Sequence, residues 1–457
     1  MAGVGIEALY VYSPGYYVDN AELALARGKD PKHFTEGVGI KTFAVAPPNE
    51  DQASMAATAA YRLMQRFGIA PSDIFRVDTP TESSLDGSRA LVSDVIGMLE
   101  DVYGRGTLSH VLGYEQKFAC VSGIERLLDT SAWFGAGWNT RKYALILATD
   151  VAKYNLKSGE EPTQGAAAAA LLIGNEPKAL QIVPGELGSA LRNEKHDFKK
   201  PGGRTVALVD GARSYASYLS EMKEAWLNFQ ASTRRLGLVK VGADESILDY
   251  IDRAIYHNPH KKMVISAYAS LIIHEWRDLP RWKEIETEIG QEPSRTGMGD
   301  LEYYMSDAYK EYRRRFMRTR QFVESFERHI GSSIIAPELV GNSYSVSVFV
   351  GLDSLLENDR ENLAGKTVVL CGYGSGSHAV IQGSRIPEGY KDVLKKLDFM
   401  EQLASRRKLS IEQYESIHNG KTTPDAWTEG KGTRFLLKSI GEKETPSEGD
   451  REYLIAD

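Results

Sequence analysis

Residues 116–133 read QKFACVSGIERLLDTSAW, and the change of pattern inside this stretch decides the fold class. The residues leading to Cys120 are apolar. After Val-Ser-Gly, the spacing of Ile124, Leu127 and Leu128 is that of an amphipathic helix. The stretch therefore reads as a strand or loop turning sharply into a helix, with the Cys120 thiol at the helix N-terminus. At such a position the free N–H groups and the helix dipole favour a thiolate and lower its pKa. The same amides can hold an oxyanion on a thioester carbonyl. The pattern equally suits a buried structural cysteine, one of the residue types most often found inside.

Outward from this turn, apolar runs bounded by turn residues alternate with helical patterns. Strands are expected over 5–12, 143–149, 166–173 and 367–371. Helices are expected over 52–67, 88–102, 124–134, 213–229 and 309–326. The mixture predicts an α/β class. The polar, turn-rich segment 193–204 (NEKHDFKKPGGR) reads as a boundary between two halves. The last seventy or so residues are charged and helical in pattern, as in a peripheral extension. No short-period repeat is present, which excludes solenoids and propellers.

Composition narrows the class of function. The chain has 457 residues with 55 Lys plus Arg against 62 Asp plus Glu, a net charge of −7. That balance argues against sequence-independent nucleic-acid binding, which needs a basic face. The run Arg313, Arg314, Arg315, Arg318 and Arg320 is interleaved with Glu311, Glu324 and Glu327, and reads as a solvated helix face rather than a nucleic-acid patch. Two cysteines, Cys120 and Cys371, do not make a disulfide scaffold and suggest a reducing compartment. The opening residues read as a first strand rather than a signal peptide. The longest small or apolar run, GAAAAALLIG at 165–174, is about half of the roughly 20 residues a membrane span needs. A soluble, cytoplasmic protein with no membrane partner is expected.

Three further segments hold groups suited to chemistry. In AIYHNPHKKM, His257 ends an apolar run and can donate a proton, and Lys261 and Lys262 can reach an anionic phosphate. In TESSLDGSR, Glu82 stands between an apolar strand and a helix. It reads either as an N-terminal helix charge or as a base for a carbon-bound proton. Asn342 in VGNSYSVSV and the turn CGYGSGS at 371–377 say little alone. Glycines permit turns, and these miss the spacing of a dinucleotide loop.

Taken in order, GIEALYVYSPGYYVDN, TESSLDGSR, KFACVSG, LATDVAKY, EPTQGAAAAALLIG, HDFKKP, LVDGARSYASYL, HNPHKKM, GNSYSVSV and GYGSGS resemble the 3-hydroxy-3-methylglutaryl-CoA synthase family, condensing enzymes of the thiolase superfamily. The match runs along nearly the whole chain, down to RRKLSIEQYESI in the tail.

The resemblance implies a thiolase-like fold: two similar halves stacked as α-β-α-β-α layers, residues 1–175 and 176–385, with a C-terminal extension at 386–457 packed on the second half. It implies that Cys120 is acylated by acetyl-CoA and that Glu82 takes a methyl proton from the acetyl thioester. His257 would act on the ketone of acetoacetyl-CoA. Thr163, Ser214, Lys262, Asn342 and Ser375 would line the acyl or CoA site, with Asp86, Asp150, Asp197 and Tyr344 in support. A homodimer is implied, with no metal and no cofactor beyond the CoA thioesters. Two positions depart from the family pattern. Ala167 stands where a glycine is common, and Val121 follows the nucleophile where animal members carry an aromatic residue.

Rival readings differ in particular residues. A thiolase would use Cys371 as a second catalytic cysteine, but it would also need a Gly-His-Pro segment that this sequence lacks. A type III β-ketoacyl synthase fits the Glu82 segment poorly. A β-branching synthase acting on chains held by an acyl carrier protein would share the catalytic residues.

Overall fold

The computed structural model of the chain describes residues 3–242, 244–421 and 435–456. Its centre is a nine-stranded mixed sheet. In chain order the strands are β1 (Val4–Tyr12), β2 (Ile74–Pro80), β3 (Leu112–Gln116), β4 (Tyr143–Ala152), β5 (Gly165–Gly174), β6 (Leu180–Leu191), β7 (Arg253–Tyr256), β8 (Thr367–Gly374) and β9 (His378–Arg385). Across the sheet the order is β7-β8-β9-β6-β1-β5-β4-β2-β3. The order β1-β5-β4-β2 in the first part recurs as β6-β9-β8-β7 in the second. The two meet where Val4–Ile6 pairs with Leu180–Ile182.

The helices repeat in the same way. Helix α1 (Gln52–Phe67) lies between β1 and β2, α2 (Val92–Tyr103) between β2 and β3, and α3 (Ser122–Gly135) between β3 and β4. In the second part α4 (Gly211–Arg235) follows β6, α5 (Lys261–Trp276) follows β7, and α6 (Ser347–Asn358) precedes β8. Helices α1 and α2 pack on one side of the first part of the sheet, and α4 and α5 on the far side of the second. Between them, α3 and α6 touch each other and both parts of the sheet, which gives five layers. This is the mixed α/β, thiolase-like architecture.

The local chemistry explains the boundaries. Helix α1 spans residues 52–67 because Asp51 and Ser54 form a reciprocal capping box and Gly68 ends it in the left-handed region. The expected helix over 309–326 is instead two, Asp307–Phe316 and Arg320–His329. The Thr319 hydroxyl accepts the Phe322 N–H and starts the second. The apolar spacing continues across the break, with Tyr312, Phe316, Phe322 and Phe326 all buried, so periodicity alone misses it. The basic run is only partly a solvated face. Arg314 pairs with Glu311 and Arg320 with Glu324, but Arg313 is buried and donates to the Tyr215 hydroxyl.

Two placements differ from expectation. Residues 193–204 are not a plain linker. Asp197 is buried and accepts from Phe198 N, Gly376 N and the Tyr373 hydroxyl, while Phe198–Lys199 pairs with Leu208–Val209. The C-terminal extension, expected on the second half, rests mainly on elements of the first. Arg407–Lys408 pairs with Tyr16–Tyr17, and Tyr414 packs on Phe43 with ring centroids 5.5 Å apart. The hairpin Phe435–Ile440/Arg451–Ile455 covers α1, where the Tyr453 hydroxyl donates to Asp51 over 2.9 Å. Apolar positions on the exposed side of α1 and the Asp51 carboxylate supply this docking face. Contacts to the second half include Glu357 of α6, which accepts the Phe399 and Met400 amides, Leu339 O, which accepts from Arg406, and Tyr390, which bonds to Asn362 and Leu363. Among the described residues no helix is long and apolar enough to cross a membrane.

Candidate active site

The repeat of the fold sets out paired positions. Glu82 follows β2 and His257 follows β7, so both stand just beyond the C-terminal ends of equivalent strands. Cys120 precedes α3, and the segment 342–346 precedes α6, so these stand at the starts of equivalent helices. Each helix start carries a non-glycine residue in the left-handed region, Ala119 at φ 44° and Tyr344 at φ 46°. Such strain persists where the surroundings over-determine it. Here close backbone approach does so. A Cβ on Gly123 would lie 2.3 Å from Ser345 O, and one on Gly374 would lie 2.7 Å from Phe118 O.

Cys120 and Glu82 are in direct contact, the Sγ–H donating to Glu82 Oε2 over 2.9 Å. Asp150, at the end of β4 and fully buried, fixes the Glu82 segment. Its Oδ1 accepts from the Thr81 hydroxyl, the Glu82 and Ser83 amides and the Ser83 hydroxyl. Its Oδ2 accepts from the Ser345 amide and hydroxyl. One carboxylate thus ties the Glu82 loop to the turn before α6.

The walls are aromatic. Tyr154, Phe198 and Tyr344 meet edge to face, with Phe198 and Tyr344 centroids 5.9 Å apart, and Cys120 packs against this cluster. Lys200 lies at its edge, Nζ 3.7 Å from Glu82 Oε1 and 4.4 Å from the Tyr344 ring centroid. Beside Tyr154 a cavity of about 220 Å³ opens among Asn155, Ser158, Glu160, Ala207, Leu208 and Val209.

The electrostatics overturn the expected thiolate. Burial pushes the Cys120 thiol well up, and the Glu82 carboxylate adds to the rise. The helix start does not reverse this. Glu82 itself is pushed up to about 7 by burial, opposed chiefly by Lys200 and then by the Cys120 hydrogen bond, while Asp150 adds to the rise. His257 is lowered to about 3 by burial, so its imidazole is neutral near pH 7. The His257 backbone N–H donates to Cys371 O, its carbonyl accepts from the Tyr218 hydroxyl, and among the described residues its Nδ1 has no hydrogen-bond partner. Cys371 is buried and its thiol is likewise raised by burial, while Cys120 is partly exposed.

The remaining expected residues lie at graded removes. Asn342 donates its amide N–H to Thr163 O and its Nδ2–H to the Tyr154 hydroxyl, which places Thr163 and Asn342 behind the aromatic wall. Ser375 sits half-buried in the β8–β9 turn, directly after Gly374, whose backbone rests on 118–121. Ser214 lies in the first turn of α4, with its N–H donated to Asp210 O. Lys262 is exposed in the first turn of α5. Among the described residues neither bonds to the Glu82–Cys120 pair. Lys261 is engaged by Glu338 and is not free to reach a phosphate. Asp86 is on an exposed loop, where it accepts the Ser88 and Arg89 amides. Sequence reasoning missed Lys200, Tyr154, Phe198 and Ser345. The Lys-Lys-Pro of 199–201 was the available signal for Lys200, and the linker reading hid it. Among the described residues no cluster of His, Cys, Asp and Glu is suited to hold a metal ion.

The description "Hydroxymethylglutaryl-coenzyme A synthase N terminal" belongs to the family model matching residues 2–179, and the corresponding C-terminal model matches residues 185–424. The chain belongs to the hydroxymethylglutaryl-CoA synthase family. Hydroxymethylglutaryl-CoA synthase of Haloferax volcanii is 33% identical over 423 residues, 92% of each chain. The Enterococcus faecalis enzyme of the same name is 30% identical over 414 residues, 91% of each. A solved structure of MvaS in complex with 3-hydroxy-3-methylglutaryl coenzyme A superposes with a TM-score of 0.83 at 30% identity, covering 100% of this chain and 99% of that one. The HMG synthase of the curacin biosynthetic pathway shares the fold, with a TM-score of 0.78 at 24% identity, covering 99% and 100%. Membership of this synthase family makes the chain an enzyme of acyl transfer and condensation.

Proposed function

We propose that the chain condenses acetyl-CoA with acetoacetyl-CoA and water to give 3-hydroxy-3-methylglutaryl-CoA and free CoA. The observation that carries this reading is the 2.9 Å contact between Cys120 Sγ and Glu82 Oε2. It puts a nucleophile and a base on one proton, at a wall where an acyl group can lie.

In the first step Cys120 Sγ attacks the acetyl thioester carbonyl. Its proton passes to Glu82 Oε2 and on to the departing CoA thiolate, leaving acetyl-Cys120. A thiol held protonated needs this assistance, because the thiolate is the nucleophile. The pair is then reused. Glu82 removes a methyl proton from acetyl-Cys120, and the resulting carbanion attacks the ketone carbon of acetoacetyl-CoA. His257, neutral at working pH, donates a hydrogen bond to the ketone oxygen and so polarises the carbonyl; the alkoxide formed takes up the proton that Glu82 removed, which gives the 3-hydroxyl group and returns Glu82 to its base form. Water finally cleaves the Cys120 thioester, which releases product and makes the sequence effectively irreversible. Asn342, Thr163 and Ser375 shape the acyl end, and Ser214 and Lys262 contact the CoA arm.

Relatives that carry the synthase name at 30–33% identity support CoA thioesters over carrier-bound chains as substrates. With that substrate choice the reading extends to mevalonate formation for isoprenoids, in a cytoplasmic homodimer that needs no metal or further cofactor. The test is direct. Radiolabelled acetyl-CoA should label the Cys120 peptide in acid-quenched enzyme, and acetoacetyl-CoA should chase that label into a six-carbon product. Absence of label on Cys120, or a label that stays there, would sink the reading. A chase that requires an acyl carrier protein would move it to the β-branching reaction.

A further inference from the structure

Residues 193–204 deliver a cation to a site otherwise lined by acids, phenols and a thiol. Lys200 Nζ is 3.7 Å from Glu82 Oε1, 3.4 Å from the Glu82 carbonyl oxygen and 4.4 Å from the Tyr344 ring centroid. Its side chain is 12% exposed, and among the described residues Glu82 is its one ion-pair partner. The two carboxylate oxygens are thereby divided: Oε1 faces the ammonium and Oε2 receives the thiol proton.

We propose that Lys200 is a positioning residue for Glu82: its ammonium holds the carboxylate by Oε1, keeps Oε2 turned to the reacting atoms, and sets the pH at which the Glu82–Cys120 pair exchanges its proton. The catalytic consequence rests on the function proposed above, but the effect on the thiol does not.

The geometry supports this over a purely structural lysine. A structural surface lysine would lie along apolar surface with its head in water. Lys200 instead turns its head inward, over the electron-rich face of Tyr344 and against the one buried carboxylate it can reach. Every other titratable group facing Glu82 works in the opposite sense or is neutral. Asp150 approaches from the end of β4 and disfavours a second negative charge. Cys120, from the turn before α3, offers a proton. Tyr154, after β4, and Tyr344, from the turn before α6, are phenols held neutral by burial. Lys200 is the only one of these neighbours that brings a positive charge; the Cys120 hydrogen bond also favours the base form of Glu82, but less strongly. An opposite charge at this range depresses a carboxyl by roughly one to three pH units. Without it both Glu82 and the adjacent thiol would titrate at higher pH.

The experiment follows the pH dependence of iodoacetamide alkylation of Cys120 in the full chain, read on the Cys120 peptide by mass spectrometry. Lys200→Met should move the midpoint up by about one to three pH units. At a pH below both midpoints this is a loss of about tenfold or more in rate. Lys200→Arg should stay within about half a unit of the parent, because the charge is kept. Lys200→Gln is a second neutral variant and should follow Lys200→Met. The proposal is overturned if the neutral variants superimpose on the parent. It is equally overturned if Lys200→Arg moves as far as they do, or if both neutral variants lose their circular dichroism and the lysine is therefore structural. Synthase turnover is measured in parallel. A parent enzyme that makes no six-carbon product refutes the proposed function, while the alkylation profile still decides the role of Lys200.

Discussion

Cys120 and Glu82 share a proton across 2.9 Å, so neither can be changed without altering the other. Glu82→Gln keeps the shape but cannot accept the proton. General-base catalysis typically contributes about 10²–10⁴-fold, and condensation should fall within that range. Acetyl labelling of Cys120 should slow less, because solvent can take a thiol proton more readily than a carbon-bound one. Cys120→Ala should abolish both. Normal condensation by Glu82→Gln would show that another group is the base.

On the proposed mechanism the rate should rise with pH through about 7, because the proposed base, Glu82, acts deprotonated and burial holds it near that value. His257 lies near 3 and remains neutral throughout the usual range. His257→Asn should therefore lower the rate yet leave the acid-side midpoint where it is. A midpoint that disappears in His257→Asn would assign the limb to the imidazole.

The same carboxylate destabilises the fold at high pH. Its folded pKa is raised above the unfolded value, so its stabilising contribution is complete below about 4.5 and is lost as pH rises through about 7. By pH 8 the loss is on the order of 3 kcal/mol. Glu82→Gln should melt at a higher temperature than the parent at pH 8, and the gain should shrink at pH 5. Equal differences at both values in thermal scans would count against a buried, titrating Glu82.

Asp150 accepts from Thr81, Glu82, Ser83 and Ser345 with no exposure to solvent. Asp150→Ala leaves these donors buried and unpaired, each costing about 1–3 kcal/mol if it finds no new partner. A loss of about 3 kcal/mol or more in urea unfolding is expected, together with loss of turnover as the Glu82 loop comes free. A fall in turnover with unchanged stability would make Asp150 chemical rather than architectural.

Gly123 and Gly97 form a matched pair. A Cβ at Gly123 would press on Ser345 O at 2.3 Å and on the Phe349 ring at 2.9 Å, whereas one at Gly97 meets nothing within 4 Å. Gly123→Ala should cost about 1–3 kcal/mol and displace the start of α3, which Cys120 directly precedes. Gly97→Ala, inside α2, should gain roughly 0.5–1 kcal/mol. Denaturant midpoints of the two variants should move in opposite directions.

What could be read in the sequence was local or carried by resemblance. The bounds of α1 were legible because Asp51, Ser54 and Gly68 mark both ends, and the apolar runs of β4 and β5 were legible because they are buried on both faces. Cys120 and Glu82 were legible as candidates, but their contact joins positions 38 residues apart and only folding shows it. The protonated thiol was not legible, because the carboxylate that arrives from another strand leaves no mark in the residues around Cys120. Lys200 was hidden by polar turn chemistry that reads as linker. The docking of the tail on α1 depends on distant surfaces with no shared local pattern. The break at Thr319 was missed because apolar spacing persists through it.

The hydrogen bond from Tyr453 to Asp51 spans 402 positions. Asp51 caps α1, and the next residue, Gln52, donates to Ser83 O beside Glu82. A ribosome adding roughly 5–20 residues per second delivers the hairpin some tens of seconds after the segment it secures. During that interval the base is synthesised but its outer support is not, so the nascent chain carries an unfinished site. On the proposed function, competence would come late in synthesis, and chains clipped before the hairpin should still carry Cys120 but hold Glu82 less firmly.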